Sequence, residues 1–186
     1  MRKTLLLFTT MALTLLLAAG IAWAALPAPT VLSDRTVPPN GTSGVDPAAN
    51  ITATFSEAIS TKSLQICNHC TSTSSSNTFY LLKGDFTAKS ATKNPRRFCI
   101  TVTSSSTACP TPIPATVSYT TGTNTATLNP TSTLDLNTKY TVVVEGTADG
   151  DFVAVKDTGG TPMLTPLTGD YIFHFTTWTS APAPIP

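Results

Sequence analysis

Residues 134–144 read LDLNTKYTVVV. A leucine and a polar turn lead into a tyrosine, and four β-branched residues follow it. Such side chains crowd a helix but pack well on a pleated sheet, so residues 140–144 are expected as a strand. The run is apolar on both faces, which places the strand in the middle of a sheet. A tyrosine that opens a central strand just after a tight turn can fold its hydroxyl back onto upstream backbone while its ring stays packed. This device is the tyrosine corner of Greek-key sandwiches. Tyr140 is the corner residue here, and Leu134 the core residue beneath it.

The rest of the chain reads consistently with that strand. In residues 50–55 (NITATF), Ile51, Ala53 and Phe55 alternate with threonines, the period of a strand with one buried face. Short strands are also expected at 79–82 (FYLL), 97–103 (RFCITVT), 116–120 (TVSYT) and 171–177 (YIFHFTT). Residues 121–124 (TGTN) form a hairpin turn, and 125–128 (TATL) is its partner strand, closed by Asn129-Pro130. No helical period is sustained, and the best candidate, residues 61–66, is worth a turn or two. About seven or eight short strands separated by turn signals describe an all-β antiparallel sandwich with Greek-key connections.

Composition bounds the partners and the compartment. Only 11% of the residues are charged and the formal net charge is +1, too weak a field to draw nucleic acid. Arg2 and Lys3 precede an apolar run at 5–19, and Ala22-Trp23-Ala24 fits a small-x-small cleavage site, so residues 1–24 read as a secretory signal peptide. The alternative, an uncleaved anchor, wants a longer run and a basic stop-transfer cluster. No other segment is apolar enough to span a bilayer. Residues 25–35 are expected as an N-terminal linker, 36–178 as the domain, and 179–186 as a Pro/Ala-rich tail.

The elements taken in order resemble bacterial Ig-like domains of the SbsA type. GVDPAANITATFSEAIS (44–60) is similar to that family's opening, in which G-V-D, an isoleucine and F-S-E recur at this spacing. PATVSYTTGTNTATLNPTSTL (114–134), LDLNTKYTVVVEG (134–146), VKDTGGTPM (155–163) and FHFTT (173–177) resemble its later blocks. The resemblance implies an Ig-like sandwich in which Phe55 enters the core, Ser56 and Glu57 shape the following turn, and Asp157 belongs to a structural turn. Thr161 stands where the family has asparagine, and 65–77, about 85–112 and 148–152 look inserted. A serine hydrolase reading of Ser56–Glu57 needs a base and an oxyanion hole. Of the two histidines, His174 is expected on the strand face opposite Phe173 and Phe175, pointing to solvent.

All four cysteines, Cys67, Cys70, Cys99 and Cys109, fall in the first two insertions. An even set in an exported chain points to disulfides, and four cysteines allow three connectivities. The favoured pairing is Cys99–Cys109, because 97–110 reads as a hairpin centred near Ser104. A loop that short contributes roughly 2–3 kcal/mol when closed. Cys67–Cys70 then pairs by default. Zinc at C-N-H-C with Cys99, Cys109 and His69 lacks a usual second ligand pair, and a redox C-x-x-C wants a helix that this chain does not offer. Asp149, Asp151, Asp157 and Asp170 could supply calcium oxygens but match no calcium motif, and loop aspartates commonly make turns. Lys89, Lys93, Arg96 and Arg97 form a local basic stretch, either solvated or facing an anionic wall polymer.

These features lead to an expected function: a secreted, non-catalytic structural or binding module of the bacterial cell envelope or extracellular space, with no cofactor. Its partner would be an envelope polymer or an extracellular protein or glycan. The alternative is a secreted carbohydrate-binding protein using Tyr80, Tyr119, Tyr171 and Trp178.

Overall fold

The computed structural model describes residues 27–65, 77–86, 100–103, 106–108, 110–147, 154–163 and 170–180. Nine strands follow in chain order: β1 (Thr42–Val45), β2 (Ile51–Thr54), β3 (Phe79–Lys83), β4 (Ile100–Thr103), β5 (Ser106–Ala108), β6 (Ala115–Thr120), β7 (Thr125–Pro130), β8 (Lys139–Val144) and β9 (Tyr171–Thr177). Seven of them build two layers. One sheet has the order β1-β9-β8-β3, the other β2-β7-β6, and β4-β5 is a separate hairpin. Two sheets of four and three strands in this connectivity are the arrangement of an Ig-like sandwich. Of the stretch 61–66, the described residues 61–65 contribute one 3-10 turn, Thr61–Ser63.

The core lies between the sheets and follows the two-residue period. Ile51, Ala53 and Phe55 face Ala126 and Leu128 from one layer, and Phe79, Leu81, Tyr140, Val142, Val144, Phe173 and Phe175 fill it from the other. Each fully buried side chain of this size is worth roughly 1.5–3 kcal/mol in removal from water. The four-stranded sheet is also covered at its centre from outside, where Tyr80, Leu82, Phe86 and Val143 form a second cluster. That double burial is why β3 and β8 read as continuous apolar runs rather than alternating ones.

Two expectations are corrected by the edges. The sheet is not wholly antiparallel: β1 runs parallel to β9, with a bulge between Ser43 and Val45. This short strand carries one apolar residue, so no alternation marked it. Of the stretch 25–35 expected as a linker, the described part is not a free tether. Val31 is buried and bridges Phe55, Leu32 N donates to Thr54 O at 2.8 Å, and Val37 and Thr52 exchange both backbone bonds. Residues 30–37 therefore line the edge of β2 and satisfy its unpaired groups.

At the start of β8 the corner closes. Asn137 takes the left-handed conformation (φ 47°), which a short polar side chain tolerates. Asp135 N then donates to Tyr140 Oη at 2.9 Å. The Tyr140 ring stacks on Phe175 with centroids 5.5 Å apart, and Leu134 is buried beside it.

Candidate functional site

Ig-like connections gather at two ends. One end carries the β2–β3, β6–β7 and β8–β9 connections, and here the chain forms a cleft of about 480 Å³ lined by Ser60, Lys62, Ser63, Gln65, Ala154 and residues 156–160. Its walls are the β2–β3 and β8–β9 connections, locked together by hydrogen bonds. Ile59 is buried and bridges Asp157, and Ser60 N donates to Lys156 O at 2.8 Å. Lys156 N donates to Ser63 Oγ at 2.9 Å, and Ser63 Oγ donates to Ser60 O at 2.7 Å. Thr78 Oγ1 ties the first wall to β3 by donating to Ser63 O and accepting from Gln65 N. Tyr119 Oη accepts from Ile59 N at 2.9 Å and so anchors the same wall to β6.

The second wall is the turn K-D-T-G-G-T. Asp157 is buried, and its Oδ1 accepts from Thr161 N at 2.6 Å. Gly160 has φ +92°, a conformation that favours glycine and lets the turn close. Burial pushes the Asp157 carboxyl upward, but hydrogen bonds from Thr161, Gly159 and Gly160 outweigh it and hold the group below the usual carboxylate range. Asp157, the one acidic side chain among the described residues that line the cleft, is therefore engaged by its own turn. Lys83 and Lys139 pair with Asp135 and Asp85 at 2.6 and 2.5 Å. Lys62 and Lys156, by contrast, have no carboxylate partner among the described residues.

A second polar cluster lies on the outer face of the four-stranded sheet, centred on His174. The ring is opposite Phe173 and Phe175, as its position in the alternation requires, but it does not point to solvent. Its side chain is 19% exposed, and Nδ1 lies 3.1 Å from Thr141 Oγ1 and 3.6 Å from Asp85 Oδ1. Thr141 Oγ1 donates to Gly84 O at 2.7 Å and accepts from Phe86 N at 3.0 Å. Its one proton is thus spent, so neutral His174 carries its hydrogen on Nδ1 and donates. Burial lowers the His174 pKa, Asp85 partly opposes this, and Lys139 adds to the lowering.

Phe55 is buried in the core. Ser56 N donates to Thr30 O at 2.9 Å, and Ser56 Oγ accepts from Thr30 N at 3.0 Å, so this serine fastens the N-terminal edge. Glu57 is half-buried in the following turn. Cys67, Cys70, Cys99, Cys109, His69, Asp149, Asp151 and the stretch 89–97 lie outside the described residues. Asp170 accepts from Gly146 N at 3.0 Å, and no group of three or more potential metal ligands occurs among the described residues. Within the same limits, no helix is long and apolar enough to cross a membrane.

The four aromatics considered for sugar binding are not brought together. Tyr80 is buried on the outer face and donates to Glu145 Oε1 at 2.5 Å, whereas Tyr119 packs against the inner core from the opposite layer. Tyr171 opens β9 and Trp178 follows its last residue, which puts the two roughly 20 Å apart along the strand. The lysine cleft was not visible in the sequence, since its walls are 93 residues apart in the Lys156–Ser63 contact.

The sequence model of the family described as bacterial Ig-like domain matches residues 27–177. No curated protein matches the chain. Among solved structures, the methionine-rich copper resistance protein PcoC from Escherichia coli is 15% identical, with a TM-score of 0.46, over 81% of this chain and 99% of that one. The S-layer protein SbsC (residues 31–844) is 20% identical, with a TM-score of 0.42, over 89% of this chain and 16% of that one. The N-terminal part of the same S-layer protein is 18% identical, with a TM-score of 0.43, over 89% and 27%.

Proposed function

The chain belongs to the bacterial Ig-like domain family, and from that premise we propose that it is a secreted, non-catalytic binding module of the bacterial cell envelope or extracellular space. The observation that carries this reading is the locked end of the sandwich. The β2–β3 connection, which crosses between the layers, and the β8–β9 connection of the four-stranded sheet are hydrogen-bonded into one rim around an open cleft, the arrangement by which loops on a fixed scaffold recognise partners. The leader-like residues 1–24 and the even cysteine set support the compartment. Against a serine-hydrolase reading stand Ser56, whose Oγ accepts from backbone of the N-terminal edge, and His174, which sits on the outer face of the other sheet.

The test is co-sedimentation of the purified protein with washed envelopes of the bacterium that encodes it, with and without reductant. Pelleting in both conditions supports a surface independent of the cysteines. Pelleting lost on reduction assigns binding to the cysteine-bearing insertions. Protein that stays in the supernatant throughout removes the envelope reading. The carbohydrate alternative has no shared aromatic platform in the four residues considered for it, because Tyr80 is buried on the outer face, Tyr119 and Tyr171 pack against the inner core, and Trp178 lies past the far end of β9 from Tyr171.

A further inference from the structure

We propose that the end cleft is a binding site for an acidic sugar polymer, whose oxyanion groups are received by Lys62 and Lys156. This deepens the envelope reading and rests on it for its biological setting. Four observations combine. The cleft, at about 480 Å³, has the volume of a site for one or two sugar residues rather than a protein face. Its two cations, Lys62 and Lys156, have no carboxylate partner among the described residues, while the lysines elsewhere on the four-stranded sheet, Lys83 and Lys139, are paired. The one carboxylate among the described residues that line it, Asp157, is held by the amides of its own turn and forms no ion pair with either lysine. Finally, Ser60, Gln65 and Thr158 add neutral polar groups of the kind that bind sugar hydroxyls, on walls that the Ser63–Lys156 and Ile59–Asp157 links hold in place.

A neutral glycan would leave both ammonium groups unmatched, and the cleft has no aromatic side chain among its described lining residues to stack on one. An acidic polymer matches them with charge-assisted hydrogen bonds. The shared chemistry is a sugar or polyol oxyanion, and either a carboxylate or a phosphate supplies it.

The test uses the whole protein labelled with nitrogen-15 and three probes: a galacturonate oligomer, a glycerol-phosphate oligomer and neutral maltohexaose. Either acidic oligomer is expected to shift the amide signals of Thr158, Gly159 and Gly160, and maltohexaose is not. Lys62→Gln and Lys156→Gln each weaken binding about tenfold. Lys83→Gln, an exposed lysine away from the cleft, leaves binding unchanged. Raising salt from about 0.05 to 0.5 M weakens it further, since the exposed charges are screened. Which acidic oligomer binds identifies the source of the oxyanion. The proposal is overturned if maltohexaose shifts the same amides as strongly, if the double variant binds like wild type while keeping its melting temperature, or if neither acidic oligomer shifts them at about 10 mM. Envelope pelleting without any such shift removes the cleft and leaves the envelope module standing. Shifts without pelleting do the reverse.

Discussion

Replacing Tyr140 by phenylalanine removes one oxygen atom and leaves the ring. In the native protein that oxygen accepts Asp135 N–H at 2.9 Å, across the turn that delivers the chain into the central strand. The ring, 1% exposed and stacked on Phe175 at 5.5 Å, keeps its packing in the variant. The cost is therefore that of one backbone donor losing its acceptor, about 1–3 kcal/mol for a buried group. Asp135 is itself exposed, so water partly replaces the hydroxyl, and the expected loss is about 1–1.5 kcal/mol. For a domain of this size, that lowers Tm by about 2–6 °C. Tyr140→Ala also deletes the ring and should cost about 3–5 kcal/mol. Urea unfolding followed by circular dichroism measures both, and the slope should be unchanged in the phenylalanine variant. A Tyr140→Phe protein within about 0.5 kcal/mol of wild type would show that the hydroxyl bond does not hold the corner, and the reasoning would fail.

Three further outcomes follow from particular residues. His174 has its pKa lowered by burial, against the pull of Asp85, so the unfolded chain takes up the proton first; stability is complete above the ordinary value of 6.5 and is lost as pH falls through the lowered native value. His174→Gln should flatten the melting temperature between about pH 7 and 5, and an unchanged slope would contradict the half-buried neutral ring. Asp85, held low by Lys139, contributes its own loss only at still lower pH, below the ordinary 3.8. Thr36 Oγ1 is buried without a hydrogen-bond partner among the described residues, so Thr36→Val should leave stability unchanged or raise it by about 1 kcal/mol, and a clear loss in the same urea assay would reveal a partner for that hydroxyl. Because Ile100 stands opposite Ala108 in the β4–β5 hairpin, Cys99 and Cys109 are next in sequence to a matched pair. A Cys99–Cys109 cross-linked peptide is expected in a non-reducing digest, and recovery of Cys67 linked to either would contradict that connectivity.

The parts of this fold that were legible in the sequence are those where one face of a strand is buried. Ile51-Ala53-Phe55 and Phe173-Phe175 announce themselves by alternation, and the Thr-Val-Val-Val run announces a strand covered on both sides. The parts that were not legible depend on distant backbone. Nothing in Thr-Ser-Gly-Val marks β1, which exists because β9 offers it a parallel edge. Residues 25–35 read as a linker, and nothing local announces that Leu32 and Val37 pair with Thr54 and Thr52 of β2. Alternation puts His174 opposite Phe173 and Phe175, but the groups its ring meets there, Thr141 Oγ1 and Asp85 Oδ1, are ones no local pattern connects to it. Ser56 was legible as a structural residue, while the partner that makes it one, Thr30, was not. Lys62 and Lys156 line one cleft because Ser63 and Ile59 bond to Lys156 and Asp157 across the end of the sandwich. Charge spacing along the chain could not have paired them.

Fractionation of the native bacterium, with an antibody to the protein, decides whether this domain works outside the cytoplasm. A chain that begins near Ala25, by N-terminal sequencing, is expected in the envelope or the medium. Full-length protein retaining residues 1–24 in the soluble cytoplasmic fraction would contradict it.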